Sequence, residues 1–353
     1  MIQENIEKSR KKIIEFLRKH QKISLFYHLD CDGIVSAALA IKGIKTLSSS
    51  DIESEPINYE DFDQINFKEG AYMFLDVSLP TRVYSQLMNK DLCIIDHHTL
   101  IENSSQFVYV NPKMWGDYTY TPASLITYLL FENEVREYDW MAAVGVVSDA
   151  GGKSQASFIR KTAEKYGIKL NEDDPFSMRS RFGEAANMIN SLTVEYNKEG
   201  AKKALAVLLK TKTIDELINN EEIKRVYEKV NGRIERLLQD FDKKSEVHEN
   251  IFFFDVPKKY SKYSSTIATI LGLDPRYFGK VIVIGKDIGD DSKRFNIRAN
   301  GVNVNLNDIV KRIISEIGGE GGGHDKAVGA VINKEYEETF RRRLSELIQS
   351  QQS

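Results

Sequence analysis

The stretch ISLFYHLDCDGIVSAALAIKGI, residues 23–44, decides the architecture. Residues 23–30 are strand-like and run into a turn. Residues 34–44 read as a helix rich in Ala and Leu that ends near Gly43. The pattern then recurs. AYMFLDVS (71–78) reads as a second buried strand and DLCIIDHH (91–98) as a third. TPASLITYLLFEN (121–133) reads as a helix with Thr121 as N-cap and Pro122 at its first position. WMAAVGVVSDAGG (140–152) is apolar up to Asp149, breaks at Gly151-Gly152, and reads as a fourth buried strand. Near-continuous apolar strands alternating with helices predict an α/β domain whose parallel sheet is covered on both faces.

The pattern changes downstream. From about 184 to 245 the chain is helical and charged, without proline, and its later part is expected to connect two domains. IFFFDV (251–256), KVIVIGKD (280–287), RFNIRAN (294–300) and AVGAVIN (327–333) read as strands, and 305–319 as a helix that stops in glycines. The expected division is a parallel-sheet domain over 1–200, a helical connector over 201–250 and a smaller α+β domain over 251–353.

Composition narrows the function. The 353 residues are 41% hydrophobic and 29% charged, a globular balance with material for more than one core. The formal charge of -3 excludes a bulk-basic coat for nucleic acid but leaves room for a local basic channel. No apolar run approaches the roughly 18 residues of a membrane span. The N-terminus lacks the apolar core of a signal peptide. Two cysteines, Cys31 and Cys93, form no disulfide framework. These features predict a cytoplasmic enzyme or complex subunit with no membrane partner.

Four apolar segments end in titratable residues: His28-Leu29-Asp30-Cys31-Asp32, Asp76, Asp96-His97-His98 and Asp149. In an open parallel sheet, ligands gather at the carboxyl ends of the strands. Five aspartates and three imidazoles brought together there repel one another and lose hydration without countercharge. Divalent cations resolve the conflict. Mixed Asp/His ligation suits Mn2+, with Mg2+ as the alternative. Two such ions about 3.5–4 Å apart activate water for an in-line displacement at phosphorus. His20 and His248 lie in charged helical stretches and read as solvated surface.

Gly318-Gly319-Glu320-Gly321-Gly322-Gly323-His324 is too glycine-rich for a regular helix or strand. Bare backbone of this kind converges N–H groups on an anion, and His324 adds a directed donor. Arg298, in the strand nearby, is the matching phosphate clamp. Lys258, Lys259, Lys262 and Arg294 extend it into a short basic track.

Together, H-x-D-x-D-G, a later strand aspartate, D-H-H, a further aspartate and a distant G-G-G-H resemble the DHH phosphoesterases with a C-terminal DHHA1 domain. The resemblance covers most of the chain. It implies that His28 and Asp30 hold a first metal, that Asp32, His97 and Asp149 hold a second, and that Asp76 bridges them. It implies that Asp96 orients the imidazoles and that His98 faces the scissile phosphate. It implies that Arg298, Gly321, Gly322, Gly323 and His324 hold substrate. The family includes RecJ-like single-strand exonucleases, archaeal RecJ relatives, and nanoRNases that also dephosphorylate adenosine 3′,5′-bisphosphate.

The expected activity is a two-Mn2+ exonuclease that releases nucleoside monophosphates from single-stranded DNA or RNA, with a place in DNA repair or replication. A hydrolase of short oligonucleotides or 3′,5′-bisphosphates is the alternative. Setting aside the five site aspartates takes the formal charge from -3 to +2, so no long polynucleotide track is demanded. A replisome scaffold is the reading from another class. The charged helices at 201–245 and Arg341-Arg342-Arg343 offer surfaces to replication or repair proteins, or to a second copy in a homo-oligomer.

Overall fold

The computed structural model describes residues 2–87, 89–101, 106–171 and 174–352. The chain divides into two compact units, Met1–Glu228 and Lys229–Ser353.

The first unit runs α1 (Ile2–Lys19), β1 (Lys22–His28), α2 (Cys31–Leu47), β2 (Asp51–Ile57), β3 (Ala71–Leu75), α3 (Tyr84–Leu87), β4 (Asp91–Ile95) and β5 (Val108–Val110). It continues with α4 (Ala123–Leu130), α5 (Glu132–Val135), α6 (Asp139–Ser148), α7 (Ala156–Lys165), α8 (Arg181–Tyr196), α9 (Lys198–Lys210) and α10 (Ile214–Ile218). The division between the units falls inside α11 (Glu221–Lys244). Its five strands are all parallel, in the order β2-β1-β3-β4-β5. In this order the winding direction reverses between β1 and β3, which opens a crevice at their carboxyl ends.

The central strand β3 is buried along its whole length, as a strand covered on both faces must be. Phe26, Tyr72 and Phe74 share one face, where Phe26 stacks on Phe74 at 5.4 Å. Leu25, Tyr27, Met73 and Leu75 point the other way, and α2 packs against β1 and β3.

Residues 140–148 form a helix, which corrects the strand expected there. Every residue of α6 from Asp139 to Val147 is buried, because α2, α4, α7 and α8 surround it. A helix covered on all sides has no polar stripe, and an apolar run without periodicity does not separate it from a buried strand. The N-cap of α4 is also corrected. Pro122 occupies it, and Thr121 Oγ1 bonds to Thr119 O instead of to the helix.

Residues 201–218 belong with the first unit. Lys42 Nζ donates to Leu209 O at 2.9 Å, and Trp140 Nε1 donates to Lys212 O at 3.1 Å.

The second unit adds β6 (Glu246–His248), β7 (Ile251–Asp255), α12 (Ser264–Leu273), β8 (Lys280–Ile288), β9 (Ser292–Asn300), α13 (Leu306–Ile317), β10 (Glu320–His324), β11 (Ala327–Asn333) and α14 (Glu337–Gln352). Its mixed sheet has the order β10-β11-β9-β8-β7-β6. Alternation along β9 sorts its side chains by face. Phe295 and Ile297 join the core beneath α13 and α14, where Phe295 stacks on Phe340 at 4.8 Å. Asn296 and Arg298 face α12, reaching Ser264 Oγ and Thr269 Oγ1 at 3.3 Å each.

The glycine segment is a strand, which corrects the irregular loop expected there. Gly321, Gly322 and Gly323 of β10 pair with Ala330, Gly329 and Val328 of β11. Strand pairing tolerates these glycines because α13 lies close: a Cβ on Gly321 would stand 2.7 Å from Val310 Cγ1. His248 lies in the exposed strand β6, not in a helix. His20 is largely covered and rests on the Phe16 ring at 4.9 Å. Arg341 pairs with Glu337, Asp255 and Glu246, Arg342 with Glu346, and Arg343 with Glu316 and Glu346. The arginine run is therefore engaged within its own unit.

Gly145 sets how closely α6 approaches α4. A Cβ there would overlap Ser124 Oγ and stand 2.8 Å from Asp32 Oδ1. Gly145→Ala should destabilise the fold by about 1–3 kcal/mol through overpacking. Denaturant unfolding checks this; an unchanged midpoint would contradict the packing.

Candidate metal centre

The turn after β1 builds the first part of the site. Asp30 is the N-cap of α2: its carboxylate accepts from Gly33 N–H at 3.0 Å and its carbonyl from Ile34 N–H at 3.0 Å. Gly33 is needed for this turn, since a Cβ would stand 2.5 Å from His28 O. His28 Nδ1 lies 2.8 Å from Asp30 Oδ2 and 3.8 Å from Asp76 Oδ2. Asp32, one residue into α2, accepts from the backbone N–H groups of Ala123 at 2.8 Å and Ser124 at 3.1 Å. It thus caps α4 in place of Thr121.

Two strand ends complete the floor. Asp76 follows β3 with φ +58°, a left-handed conformation that aspartate tolerates better than most residues. Its N–H donates to Ile95 O, and Asp96 N–H donates to Val110 O, both at 3.0 Å. His97 Nε2 lies 3.2 Å from Asp76 Oδ1 and 3.5 Å from Asp149 Oδ2. His98 Nδ1 is 2.7 Å from Asp96 Oδ1. Asp149 arrives from the carboxyl end of α6, where it is the C-cap.

The eight residues singled out in this domain therefore converge, although one of the four segments is helical. Three sets have ligand atoms within 4.8 Å of one another: His28, Asp30 and Asp76; Asp32, His97 and Asp149; Asp76, His97 and His98. Asp76 is shared by the first and third sets.

Burial of like charges governs the electrostatics. Burial, then the charges of Asp149 and Asp30, push Asp32 up to about 8. Burial, then the surrounding carboxylates, hold Asp76 well above the usual range. Burial raises Asp149 to about 6, although the hydrogen bond from Tyr120 opposes the shift. Burial also works against the charge of Asp30, but the His28 bond and its charge outweigh it and hold Asp30 at about 2. Burial and the neighbouring His98 lower His97 to about 4. The Asp96 bond raises His98. Burial opposes the imidazolium of His28, yet Asp30 prevails and raises it.

Several supporting groups escaped the sequence reading. Lys113 Nζ donates to the carbonyls of His97 at 2.7 Å and His98 at 3.1 Å, and Asn111 Nδ2 donates to His98 O at 3.1 Å. The signal was present: Asn111-Pro112-Lys113 follows the apolar Val108-Tyr109-Val110, the same strand-then-polar pattern. Asn190 accepts from Cys31 N–H at 3.1 Å and donates to Ser148 Oγ at 3.3 Å, joining the turn after β1 to the end of α6. A single Asn inside a helix carries no such signal.

In the second unit, Arg294, Arg298, Gly321 and Gly322 line one cavity of about 350 Å³. The Arg298 stem packs against Gly272, with Nη1 donating to Ile297 O at 3.0 Å. His324 ends β10 and is exposed. Lys258, Lys259 and Lys262 lie on the turn before α12.

Residues 258–350 match the family model of the DHHA1 domain. The whole chain shares its fold with RecJ from Thermus thermophilus in complex with Mn2+, at a TM-score of 0.72 and 16% identity. That match covers 98% of this chain and 55% of the other, so the chain spans about half of that protein. Residues 258–350 thus carry a DHHA1 domain, and the chain as a whole shares the fold of RecJ. The exonuclease RecJ bound to manganese matches with a TM-score of 0.71 and 16% identity, over 97% of this chain and 94% of that one. A pGpG-specific phosphodiesterase from Vibrio cholerae matches at 0.56 and 12%, over 94% and 99%. An uncharacterized protein of Methanocaldococcus jannaschii is 37% identical over 105 residues, which is 29% of this chain and 22% of that protein. At these structural identities the likeness is one of fold: a parallel-sheet domain followed by a mixed-sheet domain that holds the DHHA1 match.

The raised aspartates set a pH dependence. Asp32 ionises near 4 when unfolded and near 8 when folded, so between those values the folded state holds a proton that the unfolded state has lost. Stability in EDTA should fall as pH rises from 6 to 8, on the order of 1 kcal/mol per pH unit. Urea unfolding at both values checks the sign, and Asp32→Asn should flatten the slope.

Proposed function

We propose that this protein is a DHH/DHHA1 phosphoesterase, a divalent-metal-dependent phosphodiesterase that removes nucleoside monophosphates from the ends of single-stranded nucleic acid. The observation that carries the reading is the convergence of His28, Asp30, Asp32, Asp76, His97 and Asp149 at one crevice. The donor set fits cations. Asp76 Oδ1 is buried without a hydrogen-bond partner. Among the described residues, none of the five aspartates pairs with a lysine or arginine; Asp30, Asp76, Asp96 and Asp149 contact imidazoles instead. Oxygen and imidazole donors suit Mn2+, with Mg2+ as the alternative.

His28, Asp30 and Asp76 would hold one ion, and Asp32, His97 and Asp149, with Asp76, the other. When bound, two such ions supply countercharge to the carboxylates, an activated water and stabilisation of charge on phosphoryl oxygens. The chain's own groups do the rest. Asp96 accepts from His98 Nδ1, the nitrogen it contacts, and favours the charged ring. The side chain is 45% exposed, so Nε2–H is free to donate to a phosphoryl oxygen as negative charge builds there. Lys113 and Asn111 pin the backbone beneath that ring. Arg298 offers a guanidinium fork for a phosphate, and Gly321 and Gly322 line the same cavity, with Gly323 next along β10. His324 adds a further donor to this substrate-holding surface.

Asp76→Ala removes the shared ligand and should abolish both divalent-ion uptake and hydrolysis. Calorimetric titration with Mn2+ and a nuclease assay check it; full turnover by the variant in added Mn2+ would refute the site. Arg298→Ala should raise KM about tenfold, the loss of one charge-assisted contact of about 1.5 kcal/mol, with kcat nearly kept.

A second reading, hydrolysis of very short oligonucleotides, draws on the near-neutral charge of the chain and on its fold likeness to the pGpG-specific enzyme. A labelled dinucleotide digested beside a 20-nucleotide strand separates the two. Preference for the longer strand supports an exonuclease, and preference for the dinucleotide supports the second reading.

A further inference from the structure

Tyr120 stands in the turn before α4, outside every motif legible in the sequence. Its hydroxyl donates to Asp149 Oδ2 at 2.6 Å. Its ring meets His97 edge-on, with centroids 5.3 Å apart and planes at 77°. One side chain thus touches two of the three residues in the set Asp32, His97 and Asp149.

The tyrosine is itself held. Gln155 Nε2 donates to Tyr120 O and to Thr121 Oγ1, each at 2.9 Å. The Gln155 backbone is tied back by its N–H to Gly151 O at 2.9 Å. The segment between the end of α6 and the start of α7 therefore closes around the same turn.

Asp149 needs such support. It caps the carboxyl end of α6, where the helix dipole disfavours an anion. Asp32 is the other carboxylate of its set. The phenol hydrogen bond favours the ionised carboxylate and fixes its orientation. The ring edge blocks one direction of swing for the His97 imidazole.

We propose that Tyr120 is a positioning residue that holds Asp149 and His97 in the geometry required for the second cation. The inference rests on the metal-centre reading above and names the side chain that organises half of it. Groups behind metal ligands typically contribute about 10–100-fold to affinity.

The test is calorimetric titration of the full chain with Mn2+. The unaltered protein should take up two ions. Tyr120→Phe, which keeps the ring and loses the hydroxyl, should weaken one of the two sites about tenfold and leave the other within about twofold. Tyr120→Ala should weaken that same site further. Gln155→Ala, which releases the turn without touching a ligand, should weaken it less than Tyr120→Phe does. The cation-free melting temperature of Tyr120→Phe should match the unaltered protein. Unchanged affinity at both sites, equal weakening of both, or a markedly lower cation-free melting temperature would overturn the assignment. If the unaltered protein takes up no Mn2+, the metal-centre reading falls and this inference with it. Two-site uptake that Tyr120→Phe leaves untouched overturns the inference alone.

Discussion

Like charges buried together are the constraint around which the first domain is arranged. Asp32 and Asp76 are almost wholly removed from solvent, and an ionised carboxylate in such a place costs several kcal/mol unless something compensates it. The fold compensates in part with oriented dipoles. Asp32 receives two N–H groups from the amino end of α4. Asp30 receives Gly33 N–H from the amino end of α2. Asp149 receives the Tyr120 hydroxyl. These donors orient the carboxylates but leave a surplus of negative charge, which appears as the upward shift in the pKa of Asp32, Asp76 and Asp149.

The sheet order turns a sequence-distant set into neighbours. With β1 and β3 adjacent and the winding reversed between them, the turns after both strands flank one crevice. β4 then brings Asp96, His97 and His98 alongside, and β5 brings Asn111 beneath them. The helices close the set from above. The amino ends of α2 and α4 and the carboxyl end of α6 meet there. Their approach depends on two missing side chains, Gly33 against β1 and Gly145 against Asp32.

The second domain divides its charges between structure and surface. Arg341, Arg343 and Lys293 are spent on carboxylates of the same domain. Arg294 and Arg298 instead line an open cavity with the glycines of β10. Strand alternation produces this separation: the odd positions of β9 enter the core and the even ones do not.

The parallel sheet, the later mixed sheet and the residue types at the strand ends were legible because they rest on local patterns. Apolar runs ending in Asp or His mark the strand ends at 28–32, 76 and 96–98, and period-2 alternation marks β9 and β11. Burial hid the rest. The segment holding Asp149 looked like a strand because four helices cover it and erase its periodicity. The glycines of β10 looked like a loop because strand pairing with β11 and the closeness of α13 are long-range facts. By itself the sequence determined which residue types meet and the charge they bring. Only the tertiary structure decided that Asp32 caps a distant helix, α4, that Tyr120 reaches Asp149, and that Asn190 ties Cys31 to Ser148. Those contacts join residues far apart along the chain, and no local spacing records them.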